Sequence, residues 1–395
     1  MTRDTPAPVR SRFSIGLGEA TGAVADLGIF VPLAAALVLV NGLSAGSVLL
    51  CAGLLIVVSG AVFRVPVPVQ PLKALTAVAV AEHLAPGVIH AAGFEIAAFL
   101  LLLSIRHVAD GVAKLFTKPI VRSLQFGVGA LLIISAWRLV LDPPALFLAT
   151  PASPWPVILG ALMLAIVIWE AHRERYGLAL GVLVVGIIAA VIAARPDLGA
   201  PSLTLPVFSL PPLAAYGTAF FLLVIPQLPL TFGNAVVAVS DLEHDYFGSR
   251  AARITPASMC LSCGIGNVVS AMLGGMPMCH GSGGLTAHYR LGARTAGMNL
   301  LLGGVFIILG LAFAPQIVTM IGLLPVWVLA AFLAYAGGRH ALMVFDQHGS
   351  VLIAALAAGA VGAWFGNLFL TTVLMLLFVH GPKLATTSLR KTRRP

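Results

Sequence analysis

Apolar residues along this chain come in runs of roughly twenty separated by short polar turns, the spacing of helices that cross a bilayer. The runs fall at approximately 14–40, 44–63, 67–82, 90–105, 121–140, 155–170, 177–194, 213–240, 255–273, 278–289, 296–314, 316–338, 349–363 and 366–380. They are continuous rather than alternating with period two, which argues against a β-barrel. Two of them, the third and the tenth, are unusually short and interrupted. The third reads PVPVQPLKALTAVAVAE from Pro66 to Glu82, and the tenth lies in GGMPMCHGSGGLTAHYRLGAR, Gly274 to Arg294. Prolines at 66, 68 and 71 cannot sustain a helix, and Gly281, Gly283 and Gly284 weaken one. Each segment then turns helical, from about Leu72 and about Ser282.

Composition agrees with the pattern. Of 395 residues, 59% are hydrophobic and 9% charged, with a mean hydropathy of +1.02, more apolar surface than a water-soluble domain can hide. The expected class is an all-α polytopic membrane protein. The polar, basic start MTRDTPAPVRSRF does not read as a cleavable signal peptide. The net charge of +9 does not point to nucleic acid, because its placement is that of a topology signal. Arg64, then Arg106, Lys114, Lys118 and Arg122, then Arg173 and Arg175, Arg250 and Arg253, Arg290 and Arg294, and Arg339 fall in alternate loops. The tail adds Lys383, Arg390, Lys391, Arg393 and Arg394, and only Arg138 and Arg195 lie on the other side. Both termini are therefore expected in the cytoplasm, with an even number of crossings, in a cell (inner) membrane.

The Pro-rich stretch 195–212 divides the chain near its middle. Seven segments on each side put the two halves in opposite orientation, an inverted repeat over 14–194 and 213–380, with cytoplasmic tails at 1–13 and 381–395. The basic second tail is expected to lie against anionic lipid without folding.

Broken segments at matching positions of inverted halves point to a substrate site near the midplane. Two helix N-termini facing one point contribute about one positive charge between them, and Lys73 in the first turn of one adds another. That field suits a dianion and repels a cation. Gln70, Ser282 and the backbone of the glycine-rich run are donors for a compact oxyanion, and Gln227 and Asn234 in PQLPLTFGNAVVAVSDL are expected to line the same cavity. Lys73 is alternatively a snorkelling residue or the partner of Asp26, and His280 either a packed histidine or a contact. Glu19 and Asp26, seven apart on one face of the first helix, are the proton-coupling candidates, since carboxylates inside a membrane are functional by default. Ser240, Asp241 and Glu243 are expected at the inner mouth. Cys260 and Cys263 form a C-x-x-C without a second ligand pair, so no metal, cofactor or catalytic site is expected, and no phosphate-binding loop suggests ATP drive.

The combination P-x-P-x-Q-P-x-K with M-P-x-C-H-G-x-G-G-L, together with GEATGAVADLGIFVPL and the Gln227–Asn234 segment, resembles the molybdate transporters related to the SulP sulfate permeases, in the branch without a STAS domain. The resemblance covers most of the chain. It implies a seven-plus-seven inverted repeat with core and gate domains, half-helices in segments 3 and 10, and molybdate uptake. It puts Gln70, Pro71 and Lys73 in one half of the site and Cys279, His280, Gly281, Ser282, Gly283 and Gly284 in the other. His288 departs from it, where a glutamine is expected. The resulting expectation is a proton-coupled, elevator-like symporter of a tetrahedral oxyanion, molybdate first. Its partners are the small anion and lipid, not nucleic acid, and a homodimer is left open. Sulfate on the same fold, a nucleobase permease and a passive anion channel are the alternatives, with a membrane enzyme the remotest.

Overall fold

The computed structural model describes residues 12–147 and 154–391, and the chain is helical through most of them. Expectations that touch residues 1–11, part of the outer loop at 148–153, and Arg393 and Arg394 lie outside the described residues. Among the described residues, six helices are long and apolar enough to cross a membrane, or eight if each of two bent pairs forms one span. Length and composition alone thus account for fewer crossings than the fourteen apolar runs. The remaining runs are occupied by the shorter apolar helices Leu178–Ala194, Pro256–Met272, Gly349–Trp364 and Leu368–Gly381, and by two nine-residue half-helices, Lys73–Ala81 and Ser282–Arg290.

Several boundaries differ from the apolar pattern, and prolines explain some of them. The first run is two helices, Leu17–Val24 and Leu27–Leu39, bent by 40° around Ala25 and Asp26. The run at 316–338 also divides. Ala314–Gly322 turns by 100° from Gly297–Ala312, and a new helix starts at Val326 behind Pro325. Proline lacks an N–H, so it is favoured where a helix starts and costs a hydrogen bond inside one, as at Pro32 in Leu27–Leu39. The run at 213–240 continues to Ala251 as one 38-residue helix. It absorbs Pro226 and Pro229 by widening into π turns at Phe220–Val224 and Thr231–Val237, the usual relief for a strained ladder. The last helix runs on to Lys391, so the basic tail is helical where an unfolded one was expected.

The helices pack in pairs that exchange the two halves. Ala45–Phe63 lies along Gly297–Ala312, and its counterpart Pro256–Met272 lies along Pro86–Leu103. Lys118–Leu141 packs on Gly349–Trp364, and Val326–Ala341 on Trp155–Arg173. Small residues permit the approach: a methyl on Gly53 would come within 2.7 Å of the Gly303 carbonyl. Loops assigned by charge to one side also meet one another. Arg253 donates to the Val62 carbonyl, Arg122 and Lys118 pair with Asp346, and Ser14 meets Thr295. On the opposite side the extended stretch 195–212 runs over the helix ends, with Ser202 N–H on the Ala312 carbonyl and Ser209 N–H on that of Met272.

At the centre, β1 (Gln70–Pro71) and β2 (Met278–Cys279) pair antiparallel, Gln70 opposite Cys279 and Pro71 opposite Met278. This two-residue ladder gives the interrupted backbone its partners where water is absent. Two buried asparagines complete the task. Asn299 accepts from Val67 N–H at 3.1 Å and donates to the Val67 carbonyl at 2.7 Å. Asn267 does the same for Met278, at 2.7 and 2.8 Å. Each substitution Asn267→Ala or Asn299→Ala strands a buried backbone N–H and C=O, at about 2–4 kcal/mol. We expect a lower melting temperature for each variant in detergent; wild-type melting would show that the strands do not depend on these amides.

Candidate functional site

The half-helices begin where the strands end. Leu72 is the N-cap of Lys73–Ala81, and Gly281 that of Ser282–Arg290. Because β1 and β2 are antiparallel, the helices run apart and their N-terminal turns, with the unpaired N–H groups of every helix start, share one locality.

The long helix 214–251 braces both starts. Gln227, between its two prolines, accepts from Leu75 N–H at 2.9 Å and donates to Thr231 Oγ1 at 2.8 Å. Asn234, two turns on, accepts from the Ser282 hydroxyl. Ser282 Oγ also lies 2.9 Å from His340 Nε2, and His340 Nδ1 lies 3.2 Å from Thr286 Oγ1. Sequence reading passed over His340, which reaches the site from Val326–Ala341; no spacing within its own helix marks it.

Gln70 lies across the second half-helix. Its amide donates to Asp26 Oδ1 at 2.5 Å and its carbonyl accepts from Lys73 Nζ at 2.9 Å. A methyl on Gly281 would overlap Gln70 Oε1, and one on Gly284 would run into Gln70 Nε2 and come within 2.7 Å of Asp26 Oδ2. The two glycines are therefore small because Gln70 and Asp26 occupy the space. Asp26 sits at the bend of the first helix pair, where its carboxylate caps no backbone N–H and faces inward. His288 Nε2 stands 3.9 Å from Asp26 Oδ2, and its Nδ1 lies 2.7 Å from the Gly22 carbonyl. The residue that departs from the family pattern thus faces the candidate carboxylate.

Lys73, the first residue of its half-helix, and Ser135 supply the polar side chains of a cavity of about 260 Å³. The cavity lies between Leu27–Leu39 and the first half-helix on one side and Lys118–Leu141 on the other. Ile29, Val128 and Leu132 in its wall also cover Gly283, so an apolar layer separates the cavity from the second half-helix. A larger cavity of about 590 Å³, lined by Phe30, Val191, Leu302 and their neighbours, has no polar side chain in its wall.

The structure does not bring all candidates to this point. His280 spends both ring nitrogens on scaffold, Nδ1 2.8 Å from the Pro68 carbonyl and Nε2 2.9 Å from Ser262 Oγ. Cys279 stays beside the site, its thiol in the field of Lys73 and Asp26. Pro71 serves as the β1 residue opposite Met278. Glu19 accepts from Arg294 N–H at 3.1 Å and Thr295 N–H at 3.0 Å, tying the first helix to the loop behind the second half-helix. Only Asp241 of the trio at the expected inner mouth is exposed; Ser240 and Glu243 are buried because their helix stays packed to Ala251.

A family profile described as "Molybdate transporter of MFS superfamily" matches residues 18–132 and 219–339, the ranges that contain both half-helices. The chain belongs to that molybdate transporter family. Molybdate transporter 1 of Arabidopsis thaliana is 30% identical over 377 residues, covering 85% of this chain and 81% of that protein. Molybdate transporter 2 of the same plant is 29% identical, covering 84% and 79%. Molybdate transporter 1 of Chlamydomonas reinhardtii is 29% identical, covering 82% and 83%. Two solved structures share the fold. The transmembrane domain of the cyanobacterial bicarbonate transporter BicA has a TM-score of 0.59 at 18% identity, covering 90% of this chain and 97% of that one. SLC26A9 has 0.57 at 14%, covering 91% and 64%. This family member is accordingly a multi-pass membrane transporter and not an enzyme, with a SulP-like fold. In it, Gly281→Ala and Gly284→Ala are each expected to displace Gln70 and to cost about 1–3 kcal/mol by overpacking. Gly304→Ala, where a methyl meets nothing within 4 Å, is the control. Thermal melting of the three variants checks this; equal melting of all three would contradict the packing of Gln70.

Proposed function

We propose that this protein takes up molybdate, a tetrahedral dianion, by proton-coupled secondary transport with an elevator-like movement. The observation that carries the reading is the meeting of two half-helix N-termini at a strand pair beside Lys73, at the edge of a cavity of about 260 Å³. Each terminus is worth roughly half a positive charge, and in a dry site these fixed dipoles hold an anion without reorganising. The first turns at Lys73 and Ser282 would bind the oxyanion, helped by Gln70 and the Gly283–Gly284 backbone. Gln227, Asn234, Cys279, His280 and Gly281 would position those turns. The substrate comes from the named relatives; sulfate differs mainly in size and basicity and remains the alternative.

The exchange symmetry of helix packing supports fourteen segments as seven plus seven. In this reading segments five to seven and twelve to fourteen form a gate against which the core carries the site, and a basic cytoplasmic face holds both termini in the inner membrane. A dianion entering a negative-inside cell works against about 2.3 kcal/mol per charge per 100 mV. More than two protons per anion are then needed for the potential to favour entry. Asp26 is the proton carrier of choice, since Glu19 is engaged by backbone N–H groups.

Labelled molybdate uptake in proteoliposomes, competed with sulfate, tungstate and uracil and repeated with a protonophore, tests the proposal. We expect concentrative uptake that tungstate and sulfate compete and the protonophore abolishes. Failure of both molybdate and sulfate to bind would sink the anion reading, and protonophore-insensitive equilibration would favour a channel. Lys73→Ala should weaken molybdate binding by roughly tenfold or more, the loss of one partly desolvated charge-assisted bond of about 1.5–3 kcal/mol. Unchanged affinity would remove Lys73 from the anion field.

A further inference from the structure

We infer that Asp26 and His288 together form the binding site of one transported proton, and that this proton releases Lys73 to hold the anion. The inference rests on the proton-coupled reading above and adds to it a second residue and an order of events.

The argument begins with the tautomer. His288 Nδ1 lies 2.7 Å from the Gly22 carbonyl, which can only accept, so Nδ1 carries a hydrogen. In the neutral ring Nε2 then presents a lone pair, and it presents it to Asp26 Oδ2 at 3.9 Å. Two acceptors face one another with no donor between them. Both side chains are buried, Asp26 3% and His288 1% exposed, so bulk water does not supply one. One added proton resolves the conflict and lets the two atoms close from 3.9 Å to hydrogen-bonding distance, with the carboxyl donating to Nε2 or Nε2 donating to the carboxylate. Asp26 Oδ1 is already taken by Gln70 Nε2, which leaves Oδ2 as the oxygen that shares it. Gly284 and His288 are one turn apart on the same face of their half-helix, and the missing side chain at Gly284 is what lets the carboxylate reach that face.

Most of the other ionisable groups around the pair are engaged elsewhere or belong to the same chain of contacts; Glu243, buried on the long helix that packs against the second half-helix, has no hydrogen-bond partner among the described residues. Glu19 holds Arg294 and Thr295 N–H. His340, from the facing helix, is held by Ser282 and Thr286. Tyr289 stacks on Tyr246 with ring centres 4.1 Å apart, and Arg290 lies over the same Tyr246 ring. Cys279 lies in the field of both Asp26 and Lys73. Lys73 alone is connected, through Gln70: its ammonium donates to Oε1 while Nε2 of the same amide donates to Asp26.

That amide makes the pair a switch. With Asp26 ionised, its negative charge offsets the Lys73 charge across one side chain, and a dianion meets only the two helix ends, about one positive charge. With a proton shared between Asp26 and His288, the offset is gone, and the Lys73 charge adds to the two helix ends. Proton binding therefore raises anion affinity, and by linkage a bound anion raises proton affinity to the same degree.

Two variants test this in proteoliposomes, with molybdate binding measured across pH. Wild-type affinity should rise as pH falls. His288→Gln keeps a donor for the Gly22 carbonyl but does not titrate; it should bind molybdate with a pH dependence about one proton weaker, roughly tenfold less change per pH unit. Asp26→Asn places an amide donor opposite Nε2 and imitates the protonated pair. It should bind tightly at every pH and exchange molybdate, yet fail to accumulate it in response to a proton gradient. A His288→Gln protein with the full wild-type pH dependence, or an Asp26→Asn protein that binds weakly at all pH values, overturns the inference while leaving proton coupling standing. A wild-type protein whose binding and uptake ignore pH overturns both.

Discussion

Everything in this molecule depends on keeping two stretches of non-helical backbone inside a hydrocarbon layer. A peptide group without a partner there costs several kcal/mol, and the chain meets that constraint by pairing the stretches with each other. The solution has an electrostatic consequence. Antiparallel strands followed at once by helices bring two positive helix ends together, so the element that satisfies the backbone also creates the positive field on which the proposed anion site rests.

The surrounding side chains serve that junction in graded ways. Asn267 and Asn299 act on single residues, Met278 within β2 and Val67 ahead of β1, each closing both backbone groups of its neighbour. Gln227 and Asn234, from one long helix, each engage one half-helix start. Gln70 links them to charge, since its two amide atoms contact Lys73 and Asp26. Ile29, Val128 and Leu132 cover Gly283 with apolar atoms, and such a low-dielectric surround strengthens the dipoles beside it.

Much of this was legible in the chain itself. Continuous apolar runs mark helices, and the prolines at 66, 68 and 71 and glycines at 281, 283 and 284 mark the two places where a helix cannot run. The need to satisfy their backbones then makes each the natural partner of the other. Side-chain direction was not legible, because an almost uniformly apolar helix carries no stripe to say which face meets protein and which meets lipid. His280 looked as suited to the substrate as to the scaffold until Pro68 and Ser262 claimed its ring. Glu243 was expected at the inner mouth because the apolar run ends at residue 240. Asn267 and Asn299 gave no signal, being polar residues in otherwise ordinary runs. His288 was visible only as an oddity, since its meaning lies in Asp26, distant in sequence and brought near by the bend at Ala25–Asp26.

The central claim is a place, the junction of the first turns at Lys73 and Ser282, and the direct measurement is a structure determined with tungstate, whose electron-rich metal locates itself. The account predicts density at that junction, within hydrogen-bonding reach of Lys73 and of the backbone that begins the second half-helix. Tungstate found instead only on the basic edge at Arg290 and Arg294, with the junction empty at saturating anion, would contradict it.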